Sequence, residues 1–528
     1  MASGKILTLL IIATLLALVG AWVVARSYRR SMQRLMKAPV AEPGDGSAPA
    51  STPPVARPPR FPSLADNDDA YRRLLFSFIG LTLVIALSRT VLTQFIADGP
   101  ITLKTVATLG AAYAWPILPV LAVIGRWSRP RFVGAMLGWL VLAIALLSWR
   151  TNENVSFVQI VGWMLFDTGL PLVVVTALCL GGATRAVGPW LAPLFIVLSG
   201  SSQLGLDLLA AMVEAESPFI VWLAGWLGAT SATSAFTLFA VLPWLIAWWP
   251  ARALGRWLAK SYRERRISEL FYLFTAVWTI ALISPTLGAI GDLGWGAVVC
   301  FAPLLWIPLG ATLMQGFAGP AGAGQPPTLL ILRVFQQDAN AQAIFDRVIE
   351  RWRLSGNTVL IAGTDLADRT IDADDIFTFI DGRLGERFIN RVADIEPRLR
   401  QFELKPDVEG RYRVNECYCH DNTWQQALDR LVGISDVVLM DLRNFNAKNA
   451  GCIHELGVLA RAGHLARVVI LSNPQTERDA ALAATAGAPA GRFIWLDEKD
   501  EAGLRPAEVL AALFPAPPPR PQRAELPD

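Results

Sequence analysis

Between residues 74 and 317 the sequence is a succession of apolar runs, most of them long enough to cross a bilayer as a helix, roughly 17–25 residues each. That feature constrains the fold more than any other. Inside hydrocarbon every backbone amide and carbonyl must be satisfied internally, which leaves helices or a closed barrel. The runs fall at 74–96, 103–124, 132–149, 157–180, 187–211, 219–246, 268–289 and 296–317. With an earlier run at 6–24 they predict about nine spans. Composition agrees: 53% of residues are hydrophobic and only 17% are charged, unlike an average soluble chain.

Only Lys5 precedes the first run, whereas Arg26, Arg29, Arg30, Arg34 and Lys37 follow it. A cleaved signal has its positive end first. Residues 1–25 are therefore expected to be a retained anchor with the N-terminus outside. Residues 26–73 then form a cytoplasmic linker, Pro-rich between 38 and 62. An eight-span region follows over 74–317. Its loops alternate in charge. Arg126, Arg129 and Arg131, then Arg185, then Arg252, Arg256, Lys260, Arg263, Arg265 and Arg266 mark every second side. Basic loops stay in the cytoplasm, so the chain after 318 is expected there. Trp115, Trp127, Trp139, Trp149, Trp248 and Trp249 mostly sit near predicted span ends, as interfacial anchors do. Inside the runs lie Arg89, Asp167 and Asp207. Charges at membrane depth mark either an ion or sensing pathway or pairs between helices. The Ser- and Gly-containing run at 187–211 is the weakest of the set. No hydropathy repeat between halves points to a transporter.

From 328 the composition becomes that of a soluble domain. After a linker at 318–327, strand-like runs at 328–335, 357–363, 436–442, 466–472 and 492–497 alternate with helical patterns at 340–353, 423–435, 449–462 and 475–486. A short strand or hairpin is expected near 410–420, within a segment, 380–422, that reads as an insertion. Apolar strands alternating with helices imply an α/β domain over 328–514 with a mostly parallel sheet covered on both faces. The Pro-rich tail, 515–528, is expected to be disordered.

The stretch "SDVVLMDLRNFNAKNAGCIHELGVL" carries the clearest functional signal. A buried strand ends, a loop follows, and a helix places Cys452 and Glu455 three apart on one face. Ligands bind at the carboxyl ends of strands in such sheets. The stretch resembles the third strand and following helix of the TIR (Toll/interleukin-1 receptor) domain family, whose Cys-x-x-Glu-Leu-like pattern is matched by Cys452, Glu455 and Leu456. "LLILRVF" and "NTVLIAG" resemble its first two strands. The resemblance covers the soluble domain and none of the apolar part. The first strand lacks the usual Phe-x-Ser-type ending, and the strand before the glutamate ends in "MDLR". A related flavodoxin-like fold is the alternative.

The resemblance implies NAD or a related nucleotide as substrate, Glu455 as the catalytic carboxylate, and self-association. It equally accommodates non-enzymatic assembly modules. A carboxylate can stabilise the oxocarbenium-like charge that develops when a ribose–base bond breaks. Asp441 and Asn446 are weaker candidates for orienting ribose or water, since both also suit turns and caps. Cys417, Cys419, His420 and Cys452 offer soft ligands, but their spacing is not that of a usual zinc site. No cofactor motif is present. Net charge is +3, which gives no argument for nucleic acid. The partners expected are the bilayer and further copies of the chain. The sequence thus points to a multi-pass protein of a bacterial inner membrane with a TIR-like signalling domain. A non-catalytic nucleotide- or protein-binding domain is the alternative, and a channel or transporter regulated by its soluble domain is a third reading.

Overall fold

The computed structural model describes residues 22–36, 61–150, 156, 158–159, 162, 188–228, 231–317, 325–333, 339–362, 373–420, 422–489, 491–498 and 503–515. It divides into two units. One comprises Met1–Leu35, Leu75–Met314 and Asp368–Gly385; the other comprises Met36–Leu74, Gln315–Ala367 and Glu386–Asp528.

The helical unit contains a helix over 22–36 and most of α1, Leu64–Ile96. It continues with α2 (Leu103–Tyr113), α3 (Ile117–Ile124), α4 (Arg129–Arg150), α5 (Gly188–Glu214), α6 (Pro218–Leu227), α7 (Ser231–Val241), α8 (Pro243–Arg263), α9 (Glu269–Leu293), a 3-10 segment (Gly294–Leu305) and α10 (Trp306–Phe317). These apolar helices are compatible with a membrane protein. The expected nine spans are not supported. Among the described residues four helices are long and apolar enough to cross a bilayer, or up to six if each bent pair is one span. The runs at 6–24 and 157–180, with Asp167, lie almost wholly outside those residues.

The difference has local causes. The run at 103–124 is two helices, α2 and α3, meeting at 44°, with Pro116 as the residue before α3. A proline cannot donate the helical hydrogen bond at its position. The run at 219–246 also divides. Its first part, α6, starts on Pro218 and forms a 105° corner with the end of α5, while Ala232–Arg263 is a separate candidate span. In α9 the apolar stretch Glu269–Ile283 is short of a full span and Pro285 follows it.

The polar residues that weaken the 187–211 run are used in packing. Ser202 donates to the carbonyl of Ala240 at 2.7 Å and accepts from Trp244 Nε1 at 2.7 Å. A Cβ on Gly205 would lie 2.0 Å from the Phe239 carbonyl oxygen, so only glycine permits this approach of backbones.

A core of Trp115, Phe132, Tyr262, Tyr272 and Val277 also takes in Phe377. That residue belongs to α11, Ala373–Ile380, a short helix from the part of the sequence expected to lie in the soluble domain. Phe377 stacks on Tyr262 with centroids 4.7 Å apart and meets Tyr272 edge-on at 5.6 Å. Phe379 meets Tyr28 at 5.9 Å, and Asp381 accepts a hydrogen bond from Arg263 at 2.6 Å.

The second unit is built on seven parallel strands: β1 (Thr328–Arg333), β2 (Asn357–Ala362), β3 (Phe388–Ile389), β4 (Val414–Cys419), β5 (Val437–Asp441), β6 (Arg467–Ser472) and β7 (Phe493–Asp497). Their order is β3-β4-β2-β1-β5-β6-β7. The expected strands are present, and the register pairs Arg333 of β1 with Asp441 of β5. The segment read as an insertion is part of the sheet: β4 pairs with β2, and the two-residue β3 forms the edge. No hydropathy pattern announces a two-residue strand. Helices α12 (Ala339–Trp352), α13 (Ile395–Arg400), α14 (Trp424–Gly433), α15 (Ala450–Arg461), α16 (Arg478–Ala484) and α17 (Pro506–Leu513) complete the unit.

The central strands read as apolar runs because both faces are covered; Val437 to Met440 are all at most 1% exposed. Beside β2 and β4 lies a buried charge network that the hydropathy pattern did not anticipate. Arg411 and Arg353 share Glu350 at 2.6 and 3.1 Å, and Arg413 binds Glu403 and Asp407 at 2.7 and 2.8 Å. Each buried charge there is paired, as low dielectric requires.

Candidate functional site

The strand order reverses at β1, which has β2 on one side and β5 on the other. In open parallel sheets the crevice outside the strand ends at such a reversal is the usual ligand site. β5 ends there on Asp441, and the chain passes through 442–449 into α15.

The loop is held from several directions. Asp441 accepts from Arg443 through both carboxylate oxygens, at 2.9 and 2.8 Å, and from the Arg443 backbone N–H at 3.1 Å. Arg443 also reaches Glu498 at 3.5 Å. Burial opposes the guanidinium charge, but the two carboxylates hold its pKa above the ordinary value. Asn444 has φ of +60°, a conformation Asn tolerates better than most side chains. It exchanges hydrogen bonds with Asn473 at 3.0 and 2.9 Å. Thr476 donates to the Leu442 carbonyl at 2.9 Å, and the Ala447 N–H donates to Glu477 at 2.9 Å.

Asn446 accepts from the Lys448 N–H at 3.0 Å, and its own N–H donates to the Asn449 side chain at 3.0 Å. Its polar groups thus build the turn before the helix. Asp441 and Asn446, read from sequence as possible ribose contacts, are both engaged by protein groups.

Glu455 differs. The inward face of α15 carries Cys452, Glu455, Leu456, Val458 and Leu459, so Cys452 and Glu455 share a face as their spacing predicts. Glu455 is 9% exposed. Burial pushes its carboxyl up to about 8 from 4.5. Among the described residues no hydrogen-bond donor or cation meets that carboxylate. A buried polar group without a partner costs roughly 1–3 kcal/mol, more if charged, and such groups concentrate at functional sites. The Cys452 thiol is pushed up to about 12, first by burial and then by the charges of Glu455 and Asp441, which ties these three residues into one electrostatic neighbourhood.

The soft-ligand candidates take other roles. Cys417, Cys419 and Cys452 lie in the hydrophobic core. Burial pushes Cys417 up to about 11 and moves Cys419 upward as well. Such thiols stay protonated at neutral pH, and the thiolate is the form that binds metal or attacks. The His420 ring is hydrogen-bonded to Asn390 at 3.0 Å. Among the described residues no three His, Cys, Asp or Glu side chains gather as a metal site.

Sequence reasoning missed Arg443, although it lies two residues past Asp441; nothing in one sequence says that an arginine will fold back on its own strand end. It also missed the Trp424 ring on α14, which meets His454 edge-on at 5.4 Å beside Glu455.

Of the charges inside apolar runs, Arg89 is buried, with its guanidinium 3.9 Å from the Tyr113 ring centre. Asp207 is exposed and accepts from Gln203 at 2.9 Å. Comparison with protein-family models, with curated proteins and with solved structures finds no match for this chain.

Proposed function

We propose that the sheet domain binds NAD or a related nucleotide in the crevice beside β1 and β5 and cleaves the bond between ribose and base, with Glu455 as the reacting carboxylate. The observation that carries this reading is the buried carboxyl of Glu455 on the helix following β5, which no donor or cation among the described residues meets. Oxocarbenium-like charge at the anomeric carbon is what an oriented carboxylate in a low-dielectric site stabilises best. The resemblance of residues 435–459 to the TIR pattern adds the substrate class. The test is nicotinamide release from NAD by the full chain in lipid nanodiscs, at the high surface density that self-association needs. Release in wild type and its loss in Glu455→Gln support the reading; equal release from both removes Glu455 from it.

A second reading, a nucleotide-binding domain without turnover, is favoured by the Asp441 carboxylate and the Asn446 amide oxygen both accepting hydrogen bonds within the loop. Saturable NAD binding without nicotinamide release would select it.

The helical part is proposed to sit in a bacterial inner membrane, N-terminus outside, with residues 26–73 and the sheet domain in the cytoplasm, and to pass a membrane or cell state to that domain. Tyr28, Tyr262, Arg263 and Tyr272 meet α11 together, which supports one common side for the ends of these helices. Reporter fusions after residue 260 and at the C-terminus should both be active only as cytoplasmic reporters. A periplasmic signal at either position overturns this topology.

A further inference from the structure

Within the helical unit, α1 and α9 pack through aromatic side chains. The Phe78 ring centre lies 5.3 Å from those of both Phe271 and Phe274. Thr82 follows Phe78 by one turn of α1, and Trp278 follows Phe274 by one turn of α9, so each continues the face that makes this contact. A second tie fixes the direction. Cys300, in the 3-10 segment, shares a hydrogen bond with Thr286 of α9 and lies within reach of the Arg89 charge of α1. Later residues of α1 thus meet later residues of α9. The two helices run in parallel, and Thr82 and Trp278 stand at one level on facing sides.

Both are sealed in. Thr82 is 1% exposed and Trp278 0%. Phe78, Ile85, Phe274 and Leu282, all buried, flank them along the two helices. Among the described residues neither Thr82 Oγ1 nor Trp278 Nε1 meets a hydrogen-bond partner. Other residues of these types in the same helices behave differently. Thr90, Thr275, Thr279 and Thr286 each donate to the carbonyl four residues back, at 2.6–2.9 Å, the usual resort of a threonine inside a helix. Trp139, Trp244 and Trp306 each donate their indole N–H. Thr82 forgoes the bond to its own helix at the level where an indole N–H of the facing helix is also unused. Left unmade, both would carry the desolvation penalty of a buried polar group.

The two groups define what belongs between them. An indole N–H can only donate, whereas a hydroxyl donates and accepts. The guest must offer a lone pair to Trp278 and exchange a hydrogen bond with Thr82, and the apolar side chains on either side along the helices keep it small. We propose that an ordered water molecule is seated between α1 and α9, accepting from Trp278 Nε1 and donating to Thr82 Oγ1, and that this bridge joins the two helices at that level. Buried waters serve in this way where facing polar groups are otherwise unsatisfied. The site is independent of Glu455 and of the crevice, and it needs no charge. It gives a polar function to two residues that hydropathy counts as part of apolar runs.

The test is radiolytic labelling of the full chain in lipid nanodiscs, with hydroxyl radicals generated from heavy-oxygen water and the products read by mass spectrometry. A bound water yields its radical in place, so the side chain it touches is oxidised even when bulk solvent is excluded. Trp352 is equally buried, and its N–H donates to the Asn357 carbonyl at 2.9 Å, so it sets the rate of a dry indole. Trp278 should be oxidised severalfold faster than Trp352. Thr82→Val keeps the shape and removes one anchor of the water. It should bring Trp278 down to the Trp352 rate and lower the melting temperature, because the indole is then stranded. Thr82→Ser should keep the label. Thr82→Val combined with Trp278→Phe removes both polar groups and should melt closer to wild type than Thr82→Val alone. Oxidation of Trp278 in the wild type no faster than that of Trp352 overturns the proposal, as does an unchanged Trp278 rate in Thr82→Val. A Thr82→Val variant that melts above the wild type also overturns it, since the hydroxyl would then be only an unsatisfied group whose removal helps.

Discussion

Replacing Glu455 by glutamine should remove nicotinamide release, by on the order of 10²–10³-fold, and at the same time make the sheet domain more stable at alkaline pH. The two effects have one cause. Burial holds the carboxyl protonated in the fold, with its pKa at about 8 against 4.5 when solvated. Between those values the folded chain binds a proton that the unfolded chain does not, so stability falls as pH rises. The contribution of the protonated group is fully present below about 4.5, declines through neutrality, and is gone above about 8. Over that window the loss is on the order of a few kcal/mol. Glutamine is neutral throughout and nearly isosteric, so the variant should show no such slope. Thermal melts from pH 5 to 9 read the difference, and parallel curves for the two proteins would refute the buried-carboxyl account.

The same value sets the rate profile. An ionised carboxylate is the form that stabilises an oxocarbenium ion, so kcat/KM should rise about tenfold per pH unit and level off near pH 8. The nicotinamide ring of NAD is cationic, and its arrival favours the ionised carboxylate. The midpoint of kcat should therefore lie below that of kcat/KM. A rate that falls above pH 8 would assign Glu455 the role of proton donor instead.

The second large effect is expected at Arg443. Arg443→Ala leaves Asp441 buried, 4% exposed at its side chain, with its guanidinium partner gone. Removing one member of a buried ion pair costs about 3–5 kcal/mol, and here it also frees the loop that carries α15. Hydrogen exchange of β5 and α15 amides should accelerate by two orders of magnitude or more. The paired change Asp441→Leu with Arg443→Leu should cost much less, because no charge is stranded. A single variant as stable as wild type would mean that the hydrogen bonds of Asn473, Thr476 and Glu477 with the loop alone hold the strand end.

The sequence by itself determined the elements whose signal is local. Apolar runs announced the helical part, and unbroken Val–Ile–Leu strands between amphipathic helices announced a covered parallel sheet. The i, i+3 spacing of Cys452 and Glu455 put them on one face of a helix, because that spacing is a property of the helix and needs no partner. What failed were inferences that depend on distant neighbours. Hydropathy counted spans by length, yet Pro116 and the α5–α6 corner divide or fold those runs, and a run's composition does not reveal its path. The polar Ser202 and Gly205 weakened a span on paper but serve its packing against residues 239–244. Asp441 and Asn446 have the right chemistry for a ligand site. Only the folded loop shows that Arg443, Lys448 and Asn449 already occupy them. The placement of Phe377 was the least legible of all: an amphipathic helix records that it has an apolar face but not what covers it. The tertiary structure alone decides that α11 packs against Tyr262 and Tyr272, because burial is a pairwise property and one chain segment carries only half of the pair.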